Sequence, residues 1–492
     1  MWKTILRVRS IPMYLMPITG LMRKRAMEPR FLLPAISITT KRQKVQRSSW
    51  QSSMNWKQNY RRSWRNSDMT RMKESGIDWI GQIPEEWELG KVKFFSKISA
   101  GATPDRNNIY FWNGDINWMS SGEVNQEIVT HTAETITNLA LKRTSTKLLP
   151  IGTVMLALNG QGKTKGTAAV LAIETASNQS LASFIVDDAR VNNIYLYYFL
   201  KANYSNIRGL KGDDRDGLNL QLVSNIIIPL LDIKEQKKIA DFLDKKTIQL
   251  DKVKALLEEQ IQKLKDYRAS LIYETVTKGL DKTVPMKDSG IDWIGQVPQE
   301  WEIGRVKDTF KLRSEKNFRP IEEVQLLSLY TEFGVFPHGD REEKGNKAVS
   351  TEGYKIVYKK DIVVNIILAW MGSIGISEYD GVTSPAYDIY KPLEGVCSKF
   401  FHYLFRTEAF SGQCYKYGKG IMKMRWRTYS DDFKTIEIPI PDYNSQVNIV
   451  KFLDDKLKII NQLIDNKQAQ IENINKQRQT LIYDYVTGKR RV

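Results

Sequence analysis

The 492-residue sequence is poor in the residues that build metal centres and disulfide bonds. It contains two cysteines, Cys397 and Cys414, and three histidines that are scattered singly, His131, His338 and His402. A histidine-based metal site needs several ligands at a regular spacing, so none is expected. Both cysteines lie in the second half of the chain without a matching pair in the first. They predict reduced thiols in a cytoplasmic protein.

Long apolar runs and catalytic motifs are also missing. No run of about 18 apolar residues occurs, so no transmembrane helix is expected. Residues 159–164 (NGQGKT) resemble a phosphate loop, but Ala157 stands where the P-loop spacing requires glycine, and the apolar run after it has a strand pattern. Neither the Asn/Asp-Pro-Pro-aromatic motif of adenine methyltransferases nor a G-x-G-x-x-G fingerprint is present. No catalytic or cofactor-binding motif is therefore recognised in the sequence.

What the sequence does contain is an internal repeat. Residues 73–93 (KESGIDWIGQIPEEWELGKVK, the first block) recur at 287–307 (KDSGIDWIGQVPQEWEIGRVK, the second block), with 16 of 21 positions identical. Residues 236–277 match 446–487 at 14 of 42 positions. The repeating unit is far longer than the ~20–50 residues of a solenoid. The sequence therefore predicts two globular domains related by an approximate two-fold axis.

Between the repeated segments, each half has a mixed α/β pattern. Short apolar runs typical of strands occur at residues 152–158 and 168–173 in the first half and at 362–368 in the second. Residues 195–201 and 400–406 have a helical pattern. The two halves share this order of elements but hardly any sequence. Related scaffolds with different surfaces are suited to two different ligands of one kind.

A long amphipathic helix follows each mixed region. Apolar residues at steps of three and four predict a coiled-coil stripe in the first helix, Ile239, Leu243, Leu250, Val253, Leu257, Leu264, Tyr267 and Leu271. The second stripe is broader: Ile449, Leu453, Leu457, Ile460, Leu463, Ile464, Ile471, Ile474 and Leu481. Each helix is the available partner of the other, and a two-fold relation requires them to be antiparallel. Lys246 and Lys456, like Gln260 and Gln470, occupy matching places, where they either fix the register or flank the seam in solvent.

The charge is concentrated at the beginning of the chain. Residues 1–70 contain 15 Lys and Arg against Glu28 and Asp68, which accounts for +13 of the net charge of +18. A secretory signal and an Arg-rich DNA-binding arm are two interpretations of this segment. We favour a disordered or misannotated leader, with translation starting at Met69 or Met72, because no helical or alternating pattern would bury its apolar residues.

The ordered parts of the repeat resemble a known family. Two α/β domains, each preceded by SGIDWIGxxPxxWE and followed by a long helix ending in LIYxxVTxG, resemble the specificity subunit of type I restriction-modification enzymes. Four further stretches are similar to parts of its target-recognition domains: residues 101–104 (GATP), 110–116 (YFWNGDI), 118–122 (WMSSG) and 384–390 (SPAYDIY). The resemblance covers residues 72–492, whereas the leader has no counterpart in most members of the family.

The resemblance implies a fold and a division of the chain. The expected fold is mixed α/β, with two similar target-recognition domains separated by a long antiparallel two-helix coiled coil. The leader would span residues 1–68. The first recognition domain would span 69–232 and its helix 233–280, and the second domain would span 281–442 and its helix 443–492.

The resemblance also implies partners. The subunit would bind double-stranded DNA, with one half of a bipartite asymmetric site for each domain, and would hold two methyltransferase subunits, with restriction subunits joining them. S-adenosylmethionine, ATP and Mg²⁺ are expected on those partners, and no membrane is involved. Two alternatives are a methyltransferase with its own recognition domains, which would itself bind S-adenosylmethionine, and a coiled-coil adaptor, which would lack salt-dependent DNA binding.

Candidate DNA-binding residues are polar or basic side chains in glycine-bearing loops, where they can contact base edges and phosphates. In the first domain these are Asn159, Gln161, Lys163, Lys165, Arg208, Lys211 and Arg215. In the second domain they are Lys416, Lys419, Lys423, Arg425 and Arg427, interleaved with Tyr415, Tyr417 and Trp426. The candidate helix-pairing residues are Leu243, Leu250, Leu257, Leu264, Leu271, Leu453, Ile460, Ile474 and Leu481.

The composition of the leader generates a first prediction. Deleting residues 1–68 should leave subunit assembly and the methylated DNA sequence unchanged, because nothing in the leader matches the repeated body. The measurement is mapping of methylated adenines in a host that carries the shortened chain with its methyltransferase partner. A lost or altered methylation motif would contradict the prediction.

Overall fold

Two long helices form the axis of the structure. They run from Ile233–Lys278 and Tyr443–Val486, with 46 and 44 residues. At ~1.5 Å per residue each is roughly 65–70 Å long. Asp232 and Asp442 cap the first turns by accepting backbone hydrogen bonds. The computed structural model describes residues 71–210, 217–331, 334–339, 350–420 and 426–492, so the predicted leader, 1–68, lies outside the described residues.

The two helices pair in an antiparallel arrangement. Arg268, late in the first helix, donates to Asn461, early in the second, at 3.0 Å. Arg478, late in the second helix, contacts Asp251, early in the first, at 3.3 Å. In the repeat, Arg268 is equivalent to Arg478 and Asp251 is equivalent to Asn461. The two contacts are therefore related by the pseudo-two-fold axis. The expected coiled coil is confirmed.

The seam of the coiled coil differs from the predicted stripe at two positions in the first helix. Val253 and Tyr267 are 46% and 56% exposed, whereas Thr247 and Ile261 are buried. The other predicted residues of both helices are buried or half-buried, except Leu463, which is exposed. Alternating steps of three and four residues along the first helix place Lys254 and Arg268 in the seam, one residue after Val253 and Tyr267. Their long stems cover apolar surface while their charged ends reach solvent.

The matched polar residues lie beside this seam. Lys246 and Lys456 are exposed and stand over the rings of Phe242 and Phe452, at 5.7 and 5.6 Å. Gln260 instead accepts a hydrogen bond from Lys467 of the opposite helix. The lysines therefore flank the seam in solvent, and the contact of Gln260 joins the two helices.

The first domain is built on a five-stranded sheet and a smaller three-stranded sheet. In spatial order, the larger sheet contains Ser96–Ala100, Leu181–Val186, Val154–Ala157, Ala168–Leu171 and Ile128–Val129. The smaller sheet contains Ala176–Ser177, Trp112–Met119 and Glu134–Ile136. The α-helices of this domain are Asn138–Arg143, Asn193–Ala202, Tyr204–Arg208 and Leu220–Ser224. Short 3-10 turns are Val92–Phe94, Ile109–Phe111 and Ser121–Gln126.

The second domain has a related order of elements. Its four-stranded sheet contains Phe310–Arg313, Tyr387–Pro392, Ile362–Asn365 and Ile374–Ile376. Two-stranded ribbons pair Leu327–Tyr330 with Gly334–Pro337 and Lys355–Val357 with Gly381–Thr383. Its helices are Val306–Thr309, Ser398–Phe405, Glu408–Tyr417 and Ser430–Phe433, with 3-10 turns at Ile321–Glu323 and Ala369–Met371. The strand predicted over 362–368 ends at Asn365, because the Asn365 side chain accepts from the backbone of Ile367 and Leu368.

The repeated blocks form matching connections in the two halves. Met72–Glu74 pairs with Gln82–Pro84, and Met286–Asp288 pairs with Gln296–Pro298, in the same antiparallel register. Glu88–Lys91 pairs with Ile227–Leu230 ahead of the first helix, and Glu302–Arg305 pairs with Glu437–Ile440 ahead of the second. Trp87 and Trp301 are buried in these junctions. These two tryptophans therefore serve packing.

Each block also contacts a helix end. Tyr273, near the end of the first helix, donates to the carbonyl of Trp293 in the second block at 2.6 Å. Tyr483, at the same place in the second helix, donates to the carbonyl of Ile80 in the first block at 3.1 Å. The end of each helix thus lies against the block at the start of the other repeat, as the two-fold arrangement predicts. Residues 72–492 close into a ring.

This closure predicts the behaviour of half of the chain. A fragment of residues 69–282 would expose the seam, and burying each large apolar residue contributes about 1.5–3 kcal/mol before entropic costs. The first helix also has Tyr273 where the second has Tyr483. In a dimer, Tyr273 of one copy can therefore donate to the first block of the other copy, as Tyr483 does in the intact chain. We expect an antiparallel homodimer in sedimentation analysis, and a well-folded monomer would contradict the prediction.

Candidate nucleic-acid interface

The first candidate surface is the loop that follows the buried strand Val154–Ala157; we call residues 158–167 the first strand loop. Asn159, Gln161 and Lys163 are exposed along it. Gly160 and Gly162 have φ angles of 153° and 59°, and the left-handed conformation of Gly162 favours glycine. The glycines let the chain turn tightly while amide and ammonium groups point to solvent.

Arg208 lies directly behind this loop. Its guanidinium donates to the carbonyl of Gly162 at 2.6 Å and to the hydroxyl of Tyr204 at 3.0 Å. The same hydroxyl donates to the carbonyl of Lys163 at 3.0 Å. Arg208, predicted as a DNA contact, thus positions the strand loop through backbone carbonyls, which the sequence alone did not indicate.

A second segment of the chain meets the strand loop from the side. The Leu218 amide donates to the carbonyl of Leu158 at 2.9 Å. A Cβ atom on Gly217 would lie 1.7 Å from the Asn159 side-chain oxygen, so only glycine allows this approach. Lys211 and Arg215 belong to this segment but lie outside the described residues. The described residues on either side of that gap, Arg208 and Gly217, therefore both lie against the strand loop.

Lys165 is the buried member of the set predicted in the first strand loop. Only 3% of this residue is exposed, whereas Lys163, two residues earlier, is at the surface. The chain turns inward after Lys163, since Gly166 and Thr167 lead into the central strand Ala168–Leu171. Lys165 is therefore buried while its neighbours Gln161 and Lys163 are exposed, and its assignment as a DNA-binding residue stays a prediction.

The second candidate surface lies after the helix Glu408–Tyr417; we call residues 418–428 the return loop of the second domain. Lys419 and Arg427 form a two-residue antiparallel bridge, and both are exposed together with Lys416. Lys419 also pairs with Asp432 at 2.8 Å. Lys423 and Arg425 lie outside the described residues, between the two ends of this bridge.

Aromatic rings support the return loop. Trp426 stacks on Tyr415 with ring centres 4.9 Å apart, and its indole nitrogen donates to the Tyr415 carbonyl. The Trp370 ring centre lies 5.9 Å from that of Tyr415. A Cβ atom on Gly418 would lie 2.3 Å from the Trp426 ring, so this glycine permits the stacking. Exposed rings beside basic residues are suited to both stacking and phosphate contacts.

The return loop leads to a surface that the sequence analysis missed. The Thr428 amide donates to the carbonyl of Ile366 at 2.8 Å, the counterpart of the bond between Leu218 and Leu158. Residues 366–373 therefore occupy the place of the first strand loop, and we call them the second strand loop. Met371 is 54% exposed at its tip, beside Gly372 at φ 79°. A search for polar loops does not find the second strand loop because its composition is apolar, although it follows the strand equivalent to Val154–Ala157.

Two titratable groups in the interior of the second domain, His402 and Cys414, are held uncharged. Burial, together with Arg406 and Lys399, lowers the pKa of His402 to about 3. Burial also raises the pKa of the Cys414 thiol well above its usual value. Among the described residues no cluster of three or more potential ligands could hold a metal ion, and no helix is long and apolar enough to cross a membrane.

The two halves thus carry strand loops at equivalent places, polar in the first domain and apolar beside a basic-aromatic return loop in the second, on one antiparallel coiled coil. This architecture defines a specificity subunit with two recognition domains. The family model of the type I restriction modification DNA specificity domain matches residues 84–265 and 298–473. The chain belongs to this family and is a non-catalytic DNA-specificity subunit.

Individual relatives agree with this assignment. The type I restriction enzyme MjaVIII specificity subunit of Methanocaldococcus jannaschii is 24% identical over 434 residues, covering 84% of this chain and 94% of the relative. The EcoR124I/EcoR124II specificity subunit of Escherichia coli is 28% identical over 166 residues, covering 32% and 40%. A solved chain from a study of complex assembly and conformational transition of the type I R-M system is similar in fold, with TM-score 0.62, 12% identity and coverage of 82% and 98%.

The second strand loop generates a prediction. Replacing Met371 by Ala should change unfolding stability by less than about 0.5 kcal/mol, because the side chain is exposed. It should nevertheless weaken or relax recognition of the half-site bound by the second domain, measured by DNA affinity of the assembled complex across half-site variants. Leu393→Ala, also exposed in this domain but outside both loops, is the matched control. Equal behaviour of the two variants would contradict the prediction.

Proposed function

We propose that this subunit recognises a bipartite asymmetric DNA sequence, with one half-site for each domain. The supporting observation is the pair of equivalent surfaces with different chemistry. The first strand loop offers amide and ammonium groups at Asn159, Gln161 and Lys163, whereas the second offers Met371 beside a basic return loop. Amide and basic side chains hydrogen-bond base edges, and apolar side chains contact the thymine methyl group. Unlike surfaces then select unlike half-sites.

The coiled coil would set the distance between the half-sites. Each domain is attached to its helix through a buried glutamine, Gln236 or Gln446. The two glutamines donate to the carbonyls of Leu231 and Pro441 and accept from the amides of Asn192 and Cys397. Such fixed attachment limits rotation of the domain about the helix. Two domains on one face of B-DNA favour half-site centres about one turn, or ~34 Å, apart.

The proposal includes a cytoplasmic complex of several proteins. Two methyltransferase subunits would bind this chain, and restriction subunits would join them to form the nuclease. S-adenosylmethionine, ATP and Mg²⁺ would bind to those partners, and this chain would supply the DNA contacts. Mapping methylated adenines in a host that carries this chain with its methyltransferase partner tests the proposal. A bipartite motif is expected, and S-adenosylmethionine affinity of the isolated chain would contradict it.

The return loop gives the sharpest test of DNA contact. Replacing Arg425 and Arg427 by Ala should weaken DNA binding by the assembled complex, because a base-contacting Arg contributes about 1–3 kcal/mol of discrimination. Affinity is measured at several salt concentrations, since lost phosphate contacts also reduce the salt dependence.

A control for this experiment lies in the same domain. Lys359 is exposed and precedes the strand Ile362–Asn365, so it lies at the opposite end of that strand from the second strand loop. Lys359→Ala should bind DNA as the unmodified subunit does. Unchanged affinity in the double arginine variant, with the methyltransferase partners still assembled, would contradict DNA contact by this loop.

A further inference from the structure

Hydrogen bonds anchor the first domain at successive places along the first long helix. The Asn192 amide, at the start of the domain helix Asn193–Ala202, donates to the Gln236 side chain at 2.9 Å. Further along both helices, the Tyr198 hydroxyl donates to Asp244 at 2.6 Å. The domain helix therefore runs beside the long helix in the same direction.

The next contact along these helices is centred on Glu127. Its carboxylate pairs with Lys201, near the end of the domain helix, at 2.6 Å. The same carboxylate pairs with Arg478 of the second long helix at 3.1 Å. Arg478 in turn contacts Asp251 of the first long helix. Glu127 therefore joins the first domain to both helices of the coiled coil.

Glu127 is held in a defined conformation and in its charged form. Burial would raise the pKa of its carboxyl group, but Lys201 and Arg478 lower that pKa below its usual value. The backbone of Glu127 has φ 61° and ψ −52°, a conformation that residues other than glycine rarely adopt. Such a conformation persists only where the surrounding contacts over-determine it. The two ion pairs supply contacts of this kind.

Glu127 is also connected to the first strand loop through the larger sheet. Its carbonyl accepts from the Val170 amide at 2.9 Å, and the adjoining strand Ile128–Val129 pairs with Val170 and Leu171. The strand Ala168–Leu171 directly follows the first strand loop. The contacts of Glu127 thus fix the strand behind this loop relative to the coiled coil.

The distance of this contact from the start of the long helix gives it leverage on the angle of the domain. From Gln236 to Asp251 the first helix advances by ~22 Å, at ~1.5 Å per residue. A rotation of the domain about the Gln236 contact would displace Glu127 along an arc of about this radius. Because a given displacement at a longer radius corresponds to a smaller rotation, the Glu127 contact restricts the angle more than the same contact beside Gln236 would.

We propose that Glu127 is a positioning residue, which fixes the angle of the first domain on the coiled coil and so restricts the spacing between the two half-sites. The proposal rests on the proposed function, in which each domain binds one half-site of the same DNA. One added base pair rotates one half-site by ~35° and moves it by ~3.4 Å relative to the other. A firmly attached domain therefore binds poorly when the spacer is one base pair too long or too short.

Neutralising Glu127 in the full-length chain tests the proposal. Glu127→Gln keeps the size of the side chain but leaves Lys201 and Arg478 without the carboxylate between them, so the attachment should loosen. DNA affinity of the assembled methyltransferase complex is measured for duplexes that carry the mapped half-sites with the natural spacer, or with one base pair fewer or more. The preference for the natural spacer should fall about tenfold, within the range of coupling in a charged network. An equal loss of affinity for all spacers would indicate a merely structural role and overturn the proposal.

The matched control removes a carboxylate charge elsewhere. Asp388 pairs with Lys355 at 2.7 Å inside the second domain, and both side chains are largely buried. Asp388→Asn should keep the spacer preference of the unmodified complex. A loss of preference equal to that of Glu127→Gln would overturn the proposal.

A second variant approaches the contact from the coiled coil. Arg478→Gln removes the partner of Glu127 on the long helix and should relax the spacer preference in the same way. A preference as narrow as that of the unmodified complex would overturn the proposal.

Methylation mapping with the unmodified chain separates the two proposals. If that chain gives no bipartite motif, the proposed function itself is refuted. A bipartite motif together with an unchanged spacer preference in the Glu127 variant would refute only the positioning role of Glu127.

Discussion

The antiparallel pairing of the two long helices is the constraint on which the rest of the structure depends. Neither helix can bury its seam alone, and pairing two repeats of one chain places each helix end beside the block of the other repeat. The hydrogen bonds from Tyr273 to the second block and from Tyr483 to the first block follow from that geometry. Both recognition domains take their positions from this closed frame.

Much of this frame could be predicted because the internal repeat contains each of its elements twice. Two near-identical blocks and two matching helices fix the symmetry, and the symmetry fixes the direction of pairing. The individual seam residues were harder to predict, since from Leu250 a step of three residues leads to Val253 and a step of four leads to Lys254. Apolar character favours Val253, but the regular alternation places Lys254 in the seam, where its stem packs and its charge reaches solvent.

The recognition surfaces were only partly predictable, for a different reason. A search for polar, glycine-bearing loops finds Asn159, Gln161 and Lys163 but misses Met371, because equivalence between the domains lies in hydrogen bonds and not in residue type. Burial of Lys165 and the positioning role of Arg208 depend on how the loop turns against the helix behind it. Those contacts join residues some 40 positions apart, and no local pattern encodes them.

The contact between blocks and helix ends has an evolutionary consequence. Each tyrosine hydroxyl bonds to a backbone carbonyl, Trp293 in one repeat and Ile80 in the other, and a carbonyl is the same whichever side chain accompanies it. The same kind of bond therefore closes both junctions. We expect that genetic exchange between the repeated segments would replace an entire recognition domain while each junction keeps a bond of this kind.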